Sequence, residues 1–417
     1  MSSGWSLGGE RFASLAMDSA FRGRAGALAW RDGFSGHGSG GALAGPAQGV
    51  EMSRAARLAR YSEVSSSLAL LSDRKLGRLV DGAGSTGAGI GGTSAVVDVA
   101  GVPVFVKRVP LTDLERRPGS VMSTANLFGL PVFCQYGVGG PGFGAWRELA
   151  ANAVTTGWVL AGRTEAFPLM YHWRVLPGAA ALAEELADVE GAVAYWGGSP
   201  AVRARISALA GASASVVLFL EYIPQVLREW LGAQLGRGLE AVASACTMLE
   251  RSLRAGLAFM NGNGLLHFDA HFGNILTDGQ RLYFADLGLA TSPRFDLSAA
   301  ESDFVARNLS HDVCYALTQL VNWLVSNVCG VAVPAAGGPV ERNDYIRRCA
   351  AGAQVVEAPA AVAEVITRYA PAAVIMNDFY WDLFGKSRAT PYPAADITRA
   401  MAAIPDLADS AAQPDAV

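Results

Sequence analysis

The chain has 417 residues, of which 51% are apolar, so it is too long for one small domain and can bury a large core. The formal net charge of −4 gives no excess of positive charge for nucleic acid, and no apolar run reaches the ~18 residues that a membrane span needs. The five cysteines form no CxxC pair, which argues against a disulfide framework or a zinc site, and we expect a soluble cytoplasmic protein that binds neither nucleic acid nor a membrane.

The first half of the chain is predicted to contain a small sheet. Residues 1–49 are rich in Gly, Ser and Ala and predict a flexible extension, and a helix is expected over 51–72. Glycines cluster over 82–92, and helical periodicity returns over 144–160. Apolar alternation predicts strands over 95–99, 102–109, 167–176 and 215–222.

The second half is predicted to be mostly helical. An insertion over 179–214 already carries two helix-like pieces, 181–186 and 201–209. Further helices are expected over 225–235, 241–260, 312–327, 360–369 and 372–383. Strands followed by helices indicate an α+β fold with a small sheet region and a larger helical region.

Two acids and one amide stand at a fixed spacing between short apolar runs. Asn274 follows Asp269 by five residues, and Asp286 follows twelve residues later. A carboxylate can align a hydroxyl nucleophile and accept its proton. One carboxylate oxygen and one amide oxygen suit Mg²⁺ when ATP phosphates and water complete its coordination. Kinases place a catalytic base and two magnesium ligands at this spacing.

This stretch resembles the catalytic and metal loops of the protein-kinase-like superfamily. It is most similar to the branch that includes aminoglycoside and choline phosphotransferases, in which a His stands two residues after the catalytic Asp, here His271. The resemblance covers about 76–330 and implies a two-lobed fold. It makes 76–222 a β-rich N-lobe and 223–417 a helical C-lobe with an unmatched end, and leaves 1–75 as a flexible N-terminal extension with a helix.

Lys107 is the expected phosphate-binding residue. Only three of the 33 Lys and Arg residues are lysines, and this one ends the run Val-Phe-Val-Lys, which resembles the third-strand lysine motif of kinases. Strand alternation puts Phe105 and Lys107 on one face, where an ammonium group would neutralise ATP phosphates. Glu115 is too close along the chain to be its partner, so we expect Glu148, at the start of helix 144–160, to orient the lysine.

The glycine cluster contains two overlapping GxGxxG matches, 82–87 and 87–92. A dinucleotide-binding loop would lead directly into a helix, but strands and Lys107 follow here. We therefore predict a hairpin that covers the phosphates, with Gly87, Gly89 and Gly92 allowing backbone N–H groups to approach them.

The run Phe-Leu-Glu-Tyr-Ile at 219–223 resembles a kinase hinge. The resemblance implies that the Glu221 carbonyl and the Ile223 N–H face the adenine edge and that Leu220 borders the adenine pocket. An ordinary buried strand that ends at Pro224 is the alternative.

Three further polar residues have predicted positions around the loop. His267 is expected to pack beneath the metal loop, and Asp312 is expected to brace the loop backbone. The role of His271 stays open between contact with Asp269 or the γ-phosphate and a hydrogen bond within the loop.

The sequence favours an ATP- and Mg²⁺-dependent phosphotransferase that acts on a hydroxyl of a small molecule, such as an antibiotic or metabolite. Phe268 replaces the Arg of the kinase His-Arg-Asp triplet, and Asp312 follows Gly288 by only 24 residues, which leaves little room for a protein-substrate platform. The alternatives are a Ser/Thr kinase acting on a peptide or protein, for example in peptide maturation, and a pseudokinase scaffold. The aromatic run 379–384 fits either an acceptor pocket or a packed helix.

Overall fold

The computed structural model describes residues 52–89, 92–137, 140–178, 182–334 and 338–404. The predicted flexible extension over 1–49 lies outside these residues. The described part is an α+β structure with a small antiparallel sheet and a larger helical part, as the order of the sequence patterns predicts.

The main sheet is antiparallel and has the strand order β1-β2-β3-β5-β4. Lys107 lies on its central strand, opposite Ser94 on one neighbour and Leu218 on the other. The predicted turn between the second and third strands is present, with left-handed φ angles of 55° at Ala100 and 77° at Gly101. The strands are β1 (Ser85–Gly89), β2 (Gly92–Val99), β3 (Val102–Leu111), β4 (Met170–Pro177) and β5 (Ala214–Glu221).

Three helices cover the two faces of this sheet. Helices α1 (Arg54–Ala69) and α2 (Asp73–Asp81) bury their apolar side chains with Val104 and Val106 of β3. The other face, which carries Phe105 and Val109, packs on helix α3 (Ala145–Leu160). Alternation along β3 therefore turns Lys107 towards the face that α3 covers.

The helix predicted over 51–72 is present as α1, which ends at Ala69, and a second helix that the sequence patterns did not predict follows it closely. The Ser72 hydroxyl accepts a hydrogen bond from the Lys75 backbone N–H and caps α2. The predicted boundary between 75 and 76 consequently falls inside α2.

A second sheet of three short antiparallel strands carries the predicted loop residues. Its strands are β6 (Gln225–Val226), β7 (Ile275–Thr277) and β8 (Leu282–Phe284). Asn274 directly precedes β7, and Asp286 lies two residues after β8. The hairpin therefore fixes the distance between these two residues in space as well as in sequence.

The other helices form most of the remaining described chain. They are α4 (Glu184–Ala187), α5 (Val189–Tyr195), α6 (Pro200–Ala210), α7 (Leu227–Gly236), α8 (Leu239–Gly262), α9 (Ala299–Arg307), α10 (His311–Asn327), α11 (Val340–Ala350), α12 (Ala360–Gly385) and α13 (Ala394–Ala402). Within the described ranges, none of the helices combines the length and apolarity that crossing a bilayer would require.

The two helices predicted over 360–369 and 372–383 are one continuous helix, α12, with Pro371 inside it. Proline removes one helical hydrogen bond and usually ends a helix. Here Tyr369, Ala370, Ala372 and Ala373 are buried on both sides of the proline, and this packing keeps the helix intact. The aromatic side chains near its end, including Phe379 and Tyr380, are also buried.

Candidate functional site

Lys107 joins three elements of the structure through its ammonium group. Its Nζ lies 2.7 Å from Glu148 Oε1 on α3 and 2.7 Å from Asp286 Oδ1 after β8. Burial by itself would lower the pKa of Lys107, but the negative charges of Asp286 and Glu148 outweigh burial and raise it. The lysine is therefore a fixed cation, and the partner predicted from the sequence, Glu148, is in contact with it.

Glu115, which the sequence analysis set aside, caps helix α3 instead. Its Oε1 accepts a hydrogen bond from the Ala145 backbone N–H at 2.8 Å, and its Oε2 is paired with Arg205 at 2.9 Å. A side chain at Gly144 would meet Glu115 Oε1 at 2.9 Å. A glycine before the helix thus lets Glu115 reach the first turn and hold the helix that presents Glu148.

Asp269 and Asn274 form a hydrogen-bonded pair. The Asn274 amide donates to Asp269 Oδ2 at 3.0 Å and to the Asp269 backbone carbonyl at 3.1 Å. No other described residue donates a hydrogen bond to the Asn274 side-chain oxygen. The amide thus fixes the carboxylate with its nitrogen and keeps its oxygen for a further partner.

Burial, together with the charge of Asp286, raises the pKa of Asp269 well above its usual range. The side chain nevertheless keeps 23% of its surface exposed, so an incoming group can reach the carboxylate.

Asp312 holds the backbone of this loop, as predicted. Its two carboxylate oxygens accept hydrogen bonds from the backbone N–H groups of His267 at 2.6 Å and Phe268 at 2.9 Å. Phe268 has a left-handed φ of 60° and is almost fully buried, so the turn before Asp269 is held by packing as well as by Asp312. The His267 ring lies 3.0 Å from the Ala285 carbonyl, beneath the residue that precedes Asp286.

The ring of His271 makes a hydrogen bond within the loop. Its Nδ1 accepts from the Gly273 backbone N–H at 2.9 Å, and its Nε2 lies 3.8 Å from Asp269 Oδ1, beyond hydrogen-bond distance. Burial, followed by the positive charge of Arg228, lowers the pKa of His271 to about 3. The ring is therefore neutral, and its proton sits on the nitrogen that faces Asp269.

Asp286 adopts a left-handed backbone conformation with φ of 54°. Gly288 lies close to the same carboxylates, because a side-chain carbon there would be 3.3 Å from Glu148 Oε2 and 3.4 Å from Asp286 Oδ1. Burial would raise the pKa of Asp286, but Lys107 outweighs burial and lowers it. The Asp286 carboxylate is therefore ionised, and 45% of its side-chain surface is exposed.

Two of these residues offer the kind of ligand atom that suits a magnesium ion. The Asn274 oxygen and the Asp286 carboxylate are hard oxygen donors, the type of ligand that Mg²⁺ prefers. In the described part of the chain, no group of three or more His, Cys, Asp or Glu side chains is arranged to hold a metal ion.

The glycine-rich segment forms an antiparallel hairpin between β1 and β2. Gly87 pairs with Ser94, which itself lies opposite Lys107, so the hairpin adjoins the lysine across the sheet. Gly89 pairs with Gly92, and the tip residues 90 and 91 lie outside the described residues. A side-chain carbon at Gly92 would lie 1.8 Å from the Arg108 carbonyl oxygen, so this glycine is also needed for packing on β3.

The predicted hinge leads from β5 into the second sheet. Leu220 packs with Phe105 on the same face of the sheet as Lys107, and Ile223 packs against Leu276 of β7. No described residue accepts a hydrogen bond from the Ile223 backbone N–H. The Glu221 side chain has an unpredicted partner, because it is buried in an ion pair with Arg57 at 2.6 Å.

Sequence reasoning missed three residues at this site. The Gln135 side chain donates to the Leu289 carbonyl, just after the Asp-Leu-Gly turn. A side-chain carbon at Gly137 would lie 3.9 Å from Asp269 Cγ, so the segment between β3 and α3 reaches the loop. The backbone N–H of Arg228, on α7, donates to the Phe272 carbonyl at 3.2 Å. These contacts join distant parts of the chain and leave no periodic pattern in the sequence.

Comparison with models of protein families gave no match, and comparison with curated proteins gave none either.

Proposed function

We propose that this protein is an ATP- and Mg²⁺-dependent phosphotransferase that moves the γ-phosphate to a hydroxyl of a small molecule. The observation that carries the proposal is the meeting of Lys107, Glu148 and Asp286, next to a loop in which Asn274 fixes Asp269. Phosphoryl transfer needs a cation on the phosphates, oxygen ligands for the metal and a base at the acceptor. Each requirement has a candidate side chain here.

In the proposed reaction, the acceptor oxygen attacks the γ-phosphorus, and the bond from that phosphorus to the β,γ-bridging oxygen breaks. ADP leaves with the electron pair of the broken bond, and the hydroxyl proton passes to Asp269. Lys107 would hold the phosphates, and the glycine hairpin would cover them. Asn274 and Asp286 would hold Mg²⁺, which would neutralise charge on the phosphates.

A two-lobed, kinase-like arrangement is part of the proposal. The main sheet with α3 would form the N-lobe, and the second sheet with the later helices would form the C-lobe. ATP would lie between them, with its adenine against Leu220 and near the Glu221 carbonyl and the Ile223 N–H. The buried apolar surface of Leu220 and the unused N–H of Ile223 support this placement.

A small acceptor is favoured by contacts between two segments, the one between β3 and α3 and the one that follows Asp286. Gln135 bonds to the Leu289 carbonyl, and Thr124 Oγ1 accepts from the Asp296 backbone N–H at 2.9 Å. The segment that would serve a protein substrate is thus held against the enzyme itself.

Thermal unfolding with and without Mg-ATP tests the nucleotide part of the proposal. A ligand at 100 times its Kd adds ~2.7 kcal/mol to the free energy of unfolding, so the melting temperature should rise. Asp286→Ala should lose the metal-dependent shift, whereas Asp303→Asn, which changes an exposed carboxylate on α9, should keep it. The proposal would be contradicted if the wild-type protein is folded and its melting temperature does not change with saturating Mg-ATP.

A further inference from the structure

Asp269 has two chemically different sides. Its Oδ2 is bonded to Asn274, a proposed metal ligand, and its Oδ1 faces the Nε2 end of the His271 ring at 3.8 Å. Under the proposed function the metal and the phosphates would lie on the Asn274 side, so an acceptor hydroxyl that gives its proton to Asp269 would lie on the His271 side.

Arg228 lies close to Gly273, which the same histidine ring also approaches. A side-chain carbon placed on Gly273 would be 2.8 Å from His271 Cε1 and 3.6 Å from Arg228 Nη2. Gly273 thus lets the guanidinium and the imidazole approach one point of the loop. The Arg228 backbone N–H donates to the Phe272 carbonyl, which fixes the start of α7 against this loop.

Arg228 brings a positive charge to this position. The Nδ1 atom of His271 accepts a hydrogen bond from the Gly273 backbone N–H, so this nitrogen carries no proton. Arginine keeps its charge in proteins and offers planar pairs of donors that match carboxylate and phosphate oxygens. The side chain of Arg228 is only partly exposed, so water screens its charge less than it would screen a surface charge.

We propose that Arg228 binds an anionic group of the acceptor, so that the substrate class is a hydroxyl compound that also carries a carboxylate or a phosphate. The acceptor would span the His271 ring, with its hydroxyl at Asp269 and its anion at Arg228. Since Asp269 is the base only under the proposed function, this role of Arg228 depends on that function. A cationic acceptor, such as an aminoglycoside or choline, would gain no such contact with Arg228.

Binding of matched acceptors to the full chain tests the role of Arg228. The protein is saturated with Mg²⁺ and a non-hydrolysable ATP analogue and titrated calorimetrically with glycerol, glycerate, glycerol 3-phosphate and choline. We expect at least one of the two anions to bind about tenfold more tightly than glycerol or choline, as for a hydrogen bond to a charged group. The comparison of glycerate with glycerol 3-phosphate decides which anion is preferred.

Three variants test whether the anion preference depends on the charge of Arg228 and not on a general change in the fold. Arg228→Gln should remove the preference for the anion, and Arg228→Lys should keep part of it. Arg237→Gln removes one exposed positive charge at the other end of α7 and should leave the preference intact.

Two results would overturn the role of Arg228 without affecting the proposed function. One is a wild-type protein that is stabilised by Mg-ATP but shows no preference for anions. The other is an Arg228→Gln variant that loses the Mg-ATP shift, because Arg228 would then serve the nucleotide. If Mg-ATP fails to stabilise the wild type, the proposed function itself fails, and the acceptor role fails with it.

Discussion

Asp269 and Asp286 carry the same carboxyl group in different surroundings. Asp269 is bonded to a neutral amide and lies next to a neutral histidine, whereas Asp286 is paired with the Lys107 ammonium. Pairs of titratable groups whose surroundings push their pKa values apart often divide the roles of base and charge carrier. This contrast supports Asp269 as the proposed base and Asp286 as the proposed metal ligand.

The first prediction concerns Asp269→Asn. Asparagine has nearly the same shape but cannot accept the hydroxyl proton, so phosphate transfer should fall by about 10²-fold or more. Binding of Mg-ATP, measured by the shift in melting temperature, should persist because Lys107 and Asp286 are unchanged. Transfer is followed with labelled ATP and the best acceptor from a screen or, without one, by slow ATP hydrolysis. An Asp269→Asn enzyme that turns over like the wild type would remove Asp269 as the base.

The sequence predicts some residue contacts of this site and misses others. The contact of Lys107 with Glu148 could be predicted because each residue lies in a recognisable element, a short apolar strand and the first turn of a helix. The position of Arg228 could not be predicted, because it is one of many arginines and only the folded chain brings it to Gly273. The presence of a cation beside the loop can therefore be learned only from the folded structure.

Helix α1 shows how one element can be fixed by a single buried ion pair. Arg57 donates from Nε to Glu221 Oε1 at 3.0 Å and from Nη2 to Oε2 at 2.6 Å, and Nη2 also reaches the Phe167 carbonyl at 2.6 Å. Both side chains are almost fully buried. Because Glu221 ends β5, the pair holds α1 at the start of the proposed hinge.

The second prediction concerns Arg57→Met. Removing one partner of a buried pair leaves an uncompensated charge, so the free energy of unfolding should fall by ~3–5 kcal/mol. Arg57→Met with Glu221→Gln should recover part of that loss. Arg54→Met, one turn away on the exposed side of α1, is the control and should cost ~1 kcal/mol or less. Urea unfolding followed by tryptophan fluorescence gives these values, and equal losses for the two arginine variants would contradict the importance of the buried pair.

Helix α3 depends on a carboxylate at its first turn. Glu115 accepts hydrogen bonds from Thr112 and Ala145 and pairs with Arg205. Burial would raise the pKa of Glu115, but Arg205 and the Thr112 and Ala145 donors outweigh burial and lower it from 4.5. Its stabilising contribution is therefore complete above pH 4.5 and is lost as the pH falls through the lowered value.

The third prediction follows from the lowered pKa of Glu115. Glu115→Gln should lower the melting temperature most at neutral pH, and its difference from the wild type should shrink as the pH falls below 4.5. Asp113→Asn, at an exposed neighbouring position, should differ from the wild type by a small amount that shows no such trend. A Glu115→Gln difference that stays constant from pH 7 to pH 3 would show that the charge of Glu115 does not stabilise the fold.

Element boundaries show where the sequence patterns are insufficient. The strands β2 and β3 could be predicted because alternating apolar residues and a Gly turn act locally. The continuation of α12 through Pro371 could not, because local preference predicts a break and only the burial of its neighbours opposes it. Local signals therefore predict the sheet well, whereas packing decides the long helices.

At the scale of the whole molecule, few hydroxyls between Gly288 and Asp312 are available for regulation. Thr291 and Ser292 are buried, and the Ser298 side chain caps α9 in a reciprocal bond with Glu301. Phe268 packs against Phe304 with ring centroids 5.4 Å apart. If the resemblance to kinases holds, Phe268 stands where an arginine would bind a phosphorylated loop.

The fourth prediction is that activity needs no phosphorylation of this segment. Protein treated with a phosphatase should transfer phosphate at a rate within about twofold of untreated protein, because the loop is already held by packing and capping. Folded proteins should be poor acceptors compared with small hydroxyl compounds in the same labelled-ATP assay. Strong labelling of folded proteins that requires prior phosphorylation between Thr291 and Ser310 would contradict both expectations.

The ion pair between Arg57 and Glu221 also determines where the chain can be shortened. The resemblance to kinases begins near residue 76, which makes a start at that position attractive for expression. Such a truncation would remove α1, expose the apolar sheet surface that it covers, and leave Glu221 charged inside the protein. We therefore expect a chain that begins at 76 to aggregate, which would place α1 in the minimal folding unit.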